Sequence, residues 1–125
     1  VKDAKVLLYV GYLRYDAKDY KGTVEALTAA EVAGEKEDGI YEKRGKASFQ
    51  LKDYAATEID LQKTITKNTT DLLAFENLAI SKLQLKKEEV AQPLLEKAIA
   101  LNSQNKEVYY ATGNGRFKQN NFTYN

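Results

Sequence analysis

The chain says nearly the same thing twice at a fixed offset. "AKDYKGTVEAL" runs from Ala17 to Leu27 and "LKDYAATEIDL" from Leu51 to Leu61, 34 residues later. Three further series keep that step: the small residues Gly11, Gly45, Ala79 and Gly113; the leucines Leu27, Leu61 and Leu95; and the pair Tyr20 and Tyr54. A period of this length marks an array. Each unit is one supersecondary element that cannot bury its apolar face alone, so stacked units share a continuous core. The 125 residues hold three units, near 4–37, 38–71 and 72–105, and a partial fourth, 106–125, read together as one repeat domain.

Each unit carries two helical patterns. In the third, Phe75, Leu78, Ala79 and Leu83 recur at three- and four-residue spacing, which lines one face of a helix. "LKKEE" interrupts the pattern. Val90, Ala91, Leu94, Leu95, Ala98, Ile99 and Leu101 then form a second apolar face. Asp19, Asp53 and Asp71 stand just before helical runs, where a carboxylate accepts orphan backbone N–H groups. Gly34 suits a C-terminal cap, and Pro93 falls early enough in its helix to be tolerated. The charged stretch Glu35 to Gly39 reads as the link between the first two units. The expected helices are 3–17, 20–33, 39–51, 54–67, 71–85, 88–101 and 105–119. Short turns between them make neighbours antiparallel, so the fold class is all-α: an α-solenoid of antiparallel helix pairs.

The pattern resembles that of tetratricopeptide repeats. That family places an aromatic, a Leu-Gly pair and a Tyr in the first helix, then Ala, Phe and finally Pro. The third unit matches through Phe75, Leu78, Ala79, Ala91, Leu95 and Ala98, the second through Tyr41, Gly45, Thr57 and Leu61. The first matches through Leu7, Val10, Gly11, Thr23 and Leu27, and a fourth begins with Tyr109, Thr112 and Gly113. The resemblance covers essentially the whole chain. Departures occur in every unit: Arg14, Ser48, Lys82 and Arg116 fill the family's Tyr slot, with Tyr15, Phe49, Leu83 and Phe117 one place later. Thr23 and Thr57 stand for Ala, and Thr69 and Ser103 for the closing Pro. The resemblance implies a right-handed superhelix whose first helices line a concave groove that binds a peptide or protein segment.

Composition narrows the chemistry. Net charge is +1, from 19 basic and 18 acidic residues, whereas nucleic-acid binders usually carry a strong basic excess. No nucleic-acid partner is expected. With no Cys and no His, disulfides, thiolate chemistry, zinc fingers and the usual proton shuttle are excluded, and no cofactor or metal is expected. No apolar run reaches the roughly 20 residues that span a bilayer, so no membrane insertion is expected, and nothing resembles a signal peptide. The compartment is left open. The carboxylate pairs Glu37–Asp38 and Glu88–Glu89 sit at helix starts, where they favour the dipole. Ser48 and Ser81 lack a His to activate them, and "GNGRF" lies inside a helical pattern with no strand before it. The chain is not expected to be an enzyme. Asn68 and Asn121 match the N-glycosylation pattern but read as turn or cap residues.

The candidate site is the expected concave face, built from Tyr12, Tyr15, Lys46, Phe49, Ile80, Leu83, Asn114 and Phe117. The row Tyr15, Phe49, Leu83 and Phe117 is apolar at every unit, and Tyr12, Lys46, Ile80 and Asn114 run beside it. Two readings of the row stand: an exposed site for an apolar segment, or packing between helices. The carboxylate clamp of chaperone-cofactor members of the family would fall on Leu8, Tyr12, Lys43, Leu73 and Asn77, and is essentially missing. The expected function is a non-catalytic protein-interaction scaffold with a protein or peptide partner. The alternative is a self-assembling or accessory structural segment of a larger protein, for instance of a bacterial cell envelope. Self-association would use an apolar edge at Tyr109, Phe117 and Phe122.

Overall fold

The computed structural model describes residues 3–119, with side chains as far as Gly113. Within them lie seven helices: α1 (Ala4–Asp16), α2 (Tyr20–Val32), α3 (Asp38–Gln50), α4 (Tyr54–Lys67), α5 (Leu72–Gln84), α6 (Glu88–Ala100) and α7 (Lys106–Gln119). The described residues contain no strand. The bounds fall within about a residue of those the periodicity gives, and among the described residues no helix is long and apolar enough to cross a membrane.

Local chemistry sets the helix ends. Asp3, Asp19, Asp53 and Asp71 accept hydrogen bonds from the backbone N–H groups of Lys5, Gly22, Ala56 and Ala74, at 2.9–3.2 Å, which satisfies donors that no helical carbonyl can reach. At the far ends of α1, α2, α3, α5 and α6 the chain turns through a left-handed residue, whereas α4 ends on Asn68 in extended backbone. Lys18, Gly34, Lys52, Lys86 and Asn102 all have positive φ. Each donates its N–H three residues back while the next residue donates five back, as Lys52 does to Phe49 and Asp53 to Ser48. This is the Schellman motif.

Two details differ from the sequence reading. Asp38 and Gly39 open α3 rather than close a linker; the Asp38 carboxylate meets the positive end of the helix, and Gly39 lies against the Tyr12 ring, where a Cβ would collide with the phenol. Pro93 is the sixth residue of α6, past the first turn. Its missing donor leaves the Glu89 carbonyl without its helical partner, but both residues are exposed, so water can substitute.

The paired helices close on the small-residue series. Leu27, Leu61 and Leu95 are fully buried. A Cβ on Gly45 would stand 2.6 Å from the Leu61 Cδ2, and one on Gly11 would strike Leu27. Glycine is therefore needed at these two positions for close approach. Thr23 and Thr57 are fully buried as well. Each donates its hydroxyl to the carbonyl four residues back, of Asp19 (2.8 Å) and Asp53 (2.9 Å), which satisfies it where alanine would need no partner.

Pairs stack in order, each helix packing on the next. In addition α1 meets α3, α3 meets α5 and α5 meets α7, whereas the backbones of α2, α4 and α6 do not approach one another. First helices crowd together and second helices splay apart, so the array bends with the first helices on its inner side.

Candidate functional site

The inner face is built from successive first helices. At its first step, between α1 and α3, Tyr12 and Tyr15 point toward the following unit. The Lys43 ammonium lies 5.4 Å from the Tyr12 ring centroid and 4.9 Å from that of Tyr15, a cation–π arrangement on two rings. The Tyr12 hydroxyl donates to Glu37 (3.2 Å). Burial first, and the Glu37 charge second, push its pKa well above the ordinary phenol value; burial does the same for Tyr15. Both phenols stay neutral at physiological pH, half-buried beside Lys43.

The second step is an ion cluster. Lys46 is only 6% exposed. It donates to Glu42 (2.9 Å) and to Asp71 (2.9 Å). Burial draws its pKa down, but the hydrogen bonds to these carboxylates outweigh that and hold it above the usual lysine value. Asp71 also caps α5 through the Ala74 N–H, so a single carboxylate ties the start of α5 to the middle of α3. At the third step Glu76, buried, accepts from the Ser103 hydroxyl at 2.5 Å, and Ser103 in turn accepts from the Asn105 N–H.

The expected site residues divide. Tyr12 and Tyr15 come together, joined by Lys43. Phe49 and Leu83 are half-buried and pack against the core cluster around Phe75, Leu95 and Val108, to which Ile80, 6% exposed, itself belongs. Tyr15 meets Tyr20 edge to face at 6.1 Å, and Phe49 meets Tyr54 in the same way at 6.0 Å. In the first two units the apolar row thus packs the first helix on its own second helix through an aromatic pair in the same register. Leu8, which falls on a slot of the family's carboxylate clamp, is fully buried against Leu27 and Ile40. The side chains of Asn114 and Phe117, and all of Phe122 and Asn121, lie outside the described residues. Asn68 serves as a turn residue, its Oδ1 accepting from the Thr70 N–H and hydroxyl.

Sequence reasoning placed Lys43 only as a clamp slot and did not single out Asp71 for the ion cluster. The signal for the first is its register: Lys43 falls one unit after Tyr9 and so on the face α3 turns toward α1. On the outer side, a cleft between α2 and α4 is floored by Arg44, Ser48 and Asp60. Arg44 is already engaged by Asp60 through two nitrogens (2.8 and 3.0 Å), by Glu31 (2.8 Å) and by Thr28 (3.4 Å), so its charge is compensated within the fold.

A scan against protein-family models found no match, nor did a search of curated proteins. Solved structures do match. The Arabidopsis OM64 TPR domain superposes with a TM-score of 0.71 at 21% identity, over 90% of this chain and 93% of that one. The first TPR of Spaghetti (RPAP3), bound to the HSP90 peptide SRMEEVD, gives 0.71 at 21% identity, over 94% and 93%. MamA gives 0.74 at 21% identity, over 96% and 70%. With the 34-residue register and the antiparallel pairs, these likenesses make the fold that of a tetratricopeptide-repeat array.

Proposed function

We propose that the chain is a non-catalytic protein-interaction scaffold that holds a peptide or protein segment on its inner face. The observation that carries this reading is the Tyr12–Lys43–Tyr15 cluster. Two neutral phenols and an ammonium sit half-buried on the side toward which the array bends, Tyr12 packed on the core cluster of Leu8, Leu27 and Ile40 and bonded to Glu37, Tyr15 packed on Tyr20. Aromatic rings with polar tips supply contact area at low entropic cost. Lys46, Ile80, Phe49 and Leu83 act in this reading as the floor that fixes the spacing of the first helices, and Asn114 and Phe117 would continue the face onto α7.

The Spaghetti (RPAP3) domain binds an acidic HSP90 peptide. This chain is proposed to take a different segment. The position that would open such a clamp holds Leu8, fully buried, and Asn77 is 3% exposed. The inner face also carries the carboxylates of Glu37 and Glu42 beside its lysines. A segment with apolar or basic side chains suits it better than a carboxylate-rich tail.

A photo-crosslinking residue placed at Lys43 and, in a second sample, at Ile59 on the outer side tests this in lysate of the source cell. A partner trapped from position 43 and not from 59, and released by Tyr15→Ala, is the expected result. Trapping from 59 alone would move the working surface to the outer side.

A further inference from the structure

Equivalent positions on two successive first helices carry the same carboxylate in different settings. Glu42 on α3 and Glu76 on α5 stand 34 residues apart. Glu42 is half-buried and meets Lys46, one turn further along its own helix, at 2.9 Å. Lys46 also meets Asp71 at 2.9 Å. One unit later the ammonium is missing. Ile80 stands where Lys46 would, and Asn105 where Asp71 would. Asn105 serves the start of α7 as Asp71 serves the start of α5, accepting the Glu107 N–H at 2.9 Å, but it brings no charge. Glu76 is kept, and it is buried, at 8% exposure.

Among the described residues no lysine or arginine makes an ion pair with Glu76. Its hydrogen bond comes from the Ser103 hydroxyl, to Oε2. Ser103 is fully buried and its oxygen accepts the Asn105 N–H at 3.1 Å, so the hydroxyl is fixed in place with its single proton directed at Glu76. The second oxygen, Oε1, makes no hydrogen bond among the described residues. The polar atoms that the fold seals without a partner lie elsewhere, on Asn77, Ser81 and Gln92. A carboxylate taken out of water is costly unless a charge or several donors meet it. The first two steps of the inner face each contain their own ammonium, Lys43 against Tyr12 and Tyr15, then Lys46 against Glu42 and Asp71. The third step has the carboxylate alone.

We infer that Glu76 is the cation receptor of the inner face: its Oε1 takes the ammonium or guanidinium of a lysine or arginine side chain carried by the bound segment, as Glu42 takes that of Lys46. The inference rests on the reading of the inner face as a segment-binding surface, and it adds where a basic side chain goes. Ile80, packed in the core cluster with Val108, offers apolar surface to the methylene stem of such a side chain. A charge pair largely removed from water fixes the register of the segment, because a neutral residue at that point would leave the carboxylate unmet.

Backbone amide shifts of the full chain, followed by NMR while Nα-acetyl-arginine methylamide or Nα-acetyl-lysine methylamide is added, test it. Nα-acetyl-citrulline methylamide is the neutral control. These probes need no partner, so the outcome is separate from whether position 43 traps one. Trapping at 43 without cation binding at Glu76 would keep the inner face as the working surface and remove Glu76 from it. The expected result is saturable shifts at the amides of Ile80, Ser103 and Asn105 with both cations, and binding about tenfold weaker or less with the citrulline probe. Glu76→Gln keeps an oxygen for the Ser103 hydroxyl and should lose the shifts. Glu25→Gln, the same change of charge at an exposed position of α2, should keep them. Ile80→Lys copies Lys46 and should also lose them, because the ammonium then comes from within the chain. If one of the variants at 76 and 80 loses helicity by circular dichroism, the other carries the test. Shifts that persist in a folded Glu76→Gln or Ile80→Lys variant overturn the inference. So do shifts of equal size with arginine and citrulline probes, and so does the absence of saturable shifts with either cation.

Discussion

Three lysines hold a conformation that suits glycine. Lys18, Lys52 and Lys86 stand at φ 62°, 63° and 64°, 34 residues apart, each closing a first helix. A Cβ in this region costs on the order of 1 kcal/mol, part of which glycine returns through its freer unfolded chain. Lys52→Gly should therefore raise stability by about 0.5 kcal/mol, and the triple replacement by roughly three times that, since the turns are separate. A urea midpoint that falls in Lys52→Gly would show that the lysine side chain contributes something the turn geometry does not. The sequence offers little warning here. Gly34 advertises its turn, but nothing in lysine's preferences marks a left-handed residue, and only the register reveals that Lys18, Lys52 and Lys86 share one role. The glycines make the converse case. Gly45→Ala gains about 1 kcal/mol of helix propensity but drives a methyl into the buried Leu61, an overpacking that costs about 1–3 kcal/mol. Gly113→Ala gains the propensity with nothing in the way. Opposite signs in thermal unfolding are expected from one substitution at equivalent positions of the repeat, and equal signs would refute the close-approach account.

At the scale of the helix, charge does what packing alone leaves undone. Arg44 on α3 reaches Glu31 on α2 and Asp60 on α4, linking three helices through a guanidinium whose side chain is 13% exposed. Its pKa is held above the usual arginine value, chiefly by Asp60. Asp60→Ala leaves that charge buried with only Glu31 as carboxylate partner, a loss expected near 3 kcal/mol. Replacing Arg44 and Asp60 together by leucine should recover most of it, because Glu31 keeps the hydrogen bond that the Tyr41 hydroxyl donates and is accessible enough to be solvated. If the double variant is no more stable than Asp60→Ala, the network is not the source of the cost. The helices themselves were legible in the sequence: the 3-4 spacing of Phe75, Leu78 and Ala79, with Asp19, Asp53 and Asp71 ahead of their helices, dictates where each runs. The inner face was less so. Periodicity puts Tyr12, Lys46 and Ile80 on one side of their helices, but the tilt between neighbours decides that Lys46 and Ile80 are covered while Tyr12 meets Lys43. A position one residue off in helical phase changes from surface to seam, and Leu8 shows how completely.

The whole molecule lacks histidine, and its perturbed groups lie at the two ends of the pH scale. Glu31 is held below the ordinary carboxylate value, first by its hydrogen bond from Arg44, and Glu58 by those from Lys82 and Lys87. A carboxyl whose folded pKa is depressed contributes stability that is complete above its unfolded value, about 4.3, and is lost as pH falls through the folded one. Tyr12, Tyr15 and Lys46 are raised. Their contribution is complete below the unfolded values, about 10 for tyrosine and 10.4 for lysine, and drains away as pH rises toward the folded ones. Between these limits none of the perturbed groups titrates. Chemical denaturation at a series of pH values should give a plateau from about pH 6 to 9, a fall below about pH 4.5 and another above about pH 10. Each limb has its own control. Glu58→Gln should shrink the acid fall by removing the carboxylate that Lys82 and Lys87 hold ionised, while leaving the alkaline limb in place. Tyr12→Phe should lessen the alkaline fall, leaving the part due to Tyr15 and Lys46, because a phenylalanine ring keeps the contact with Lys43 and has no proton to lose. An alkaline limb unchanged in Tyr12→Phe would mean that the phenol is solvated in the folded chain, and the cluster proposed as the working surface would then be open to water at its centre rather than half-buried.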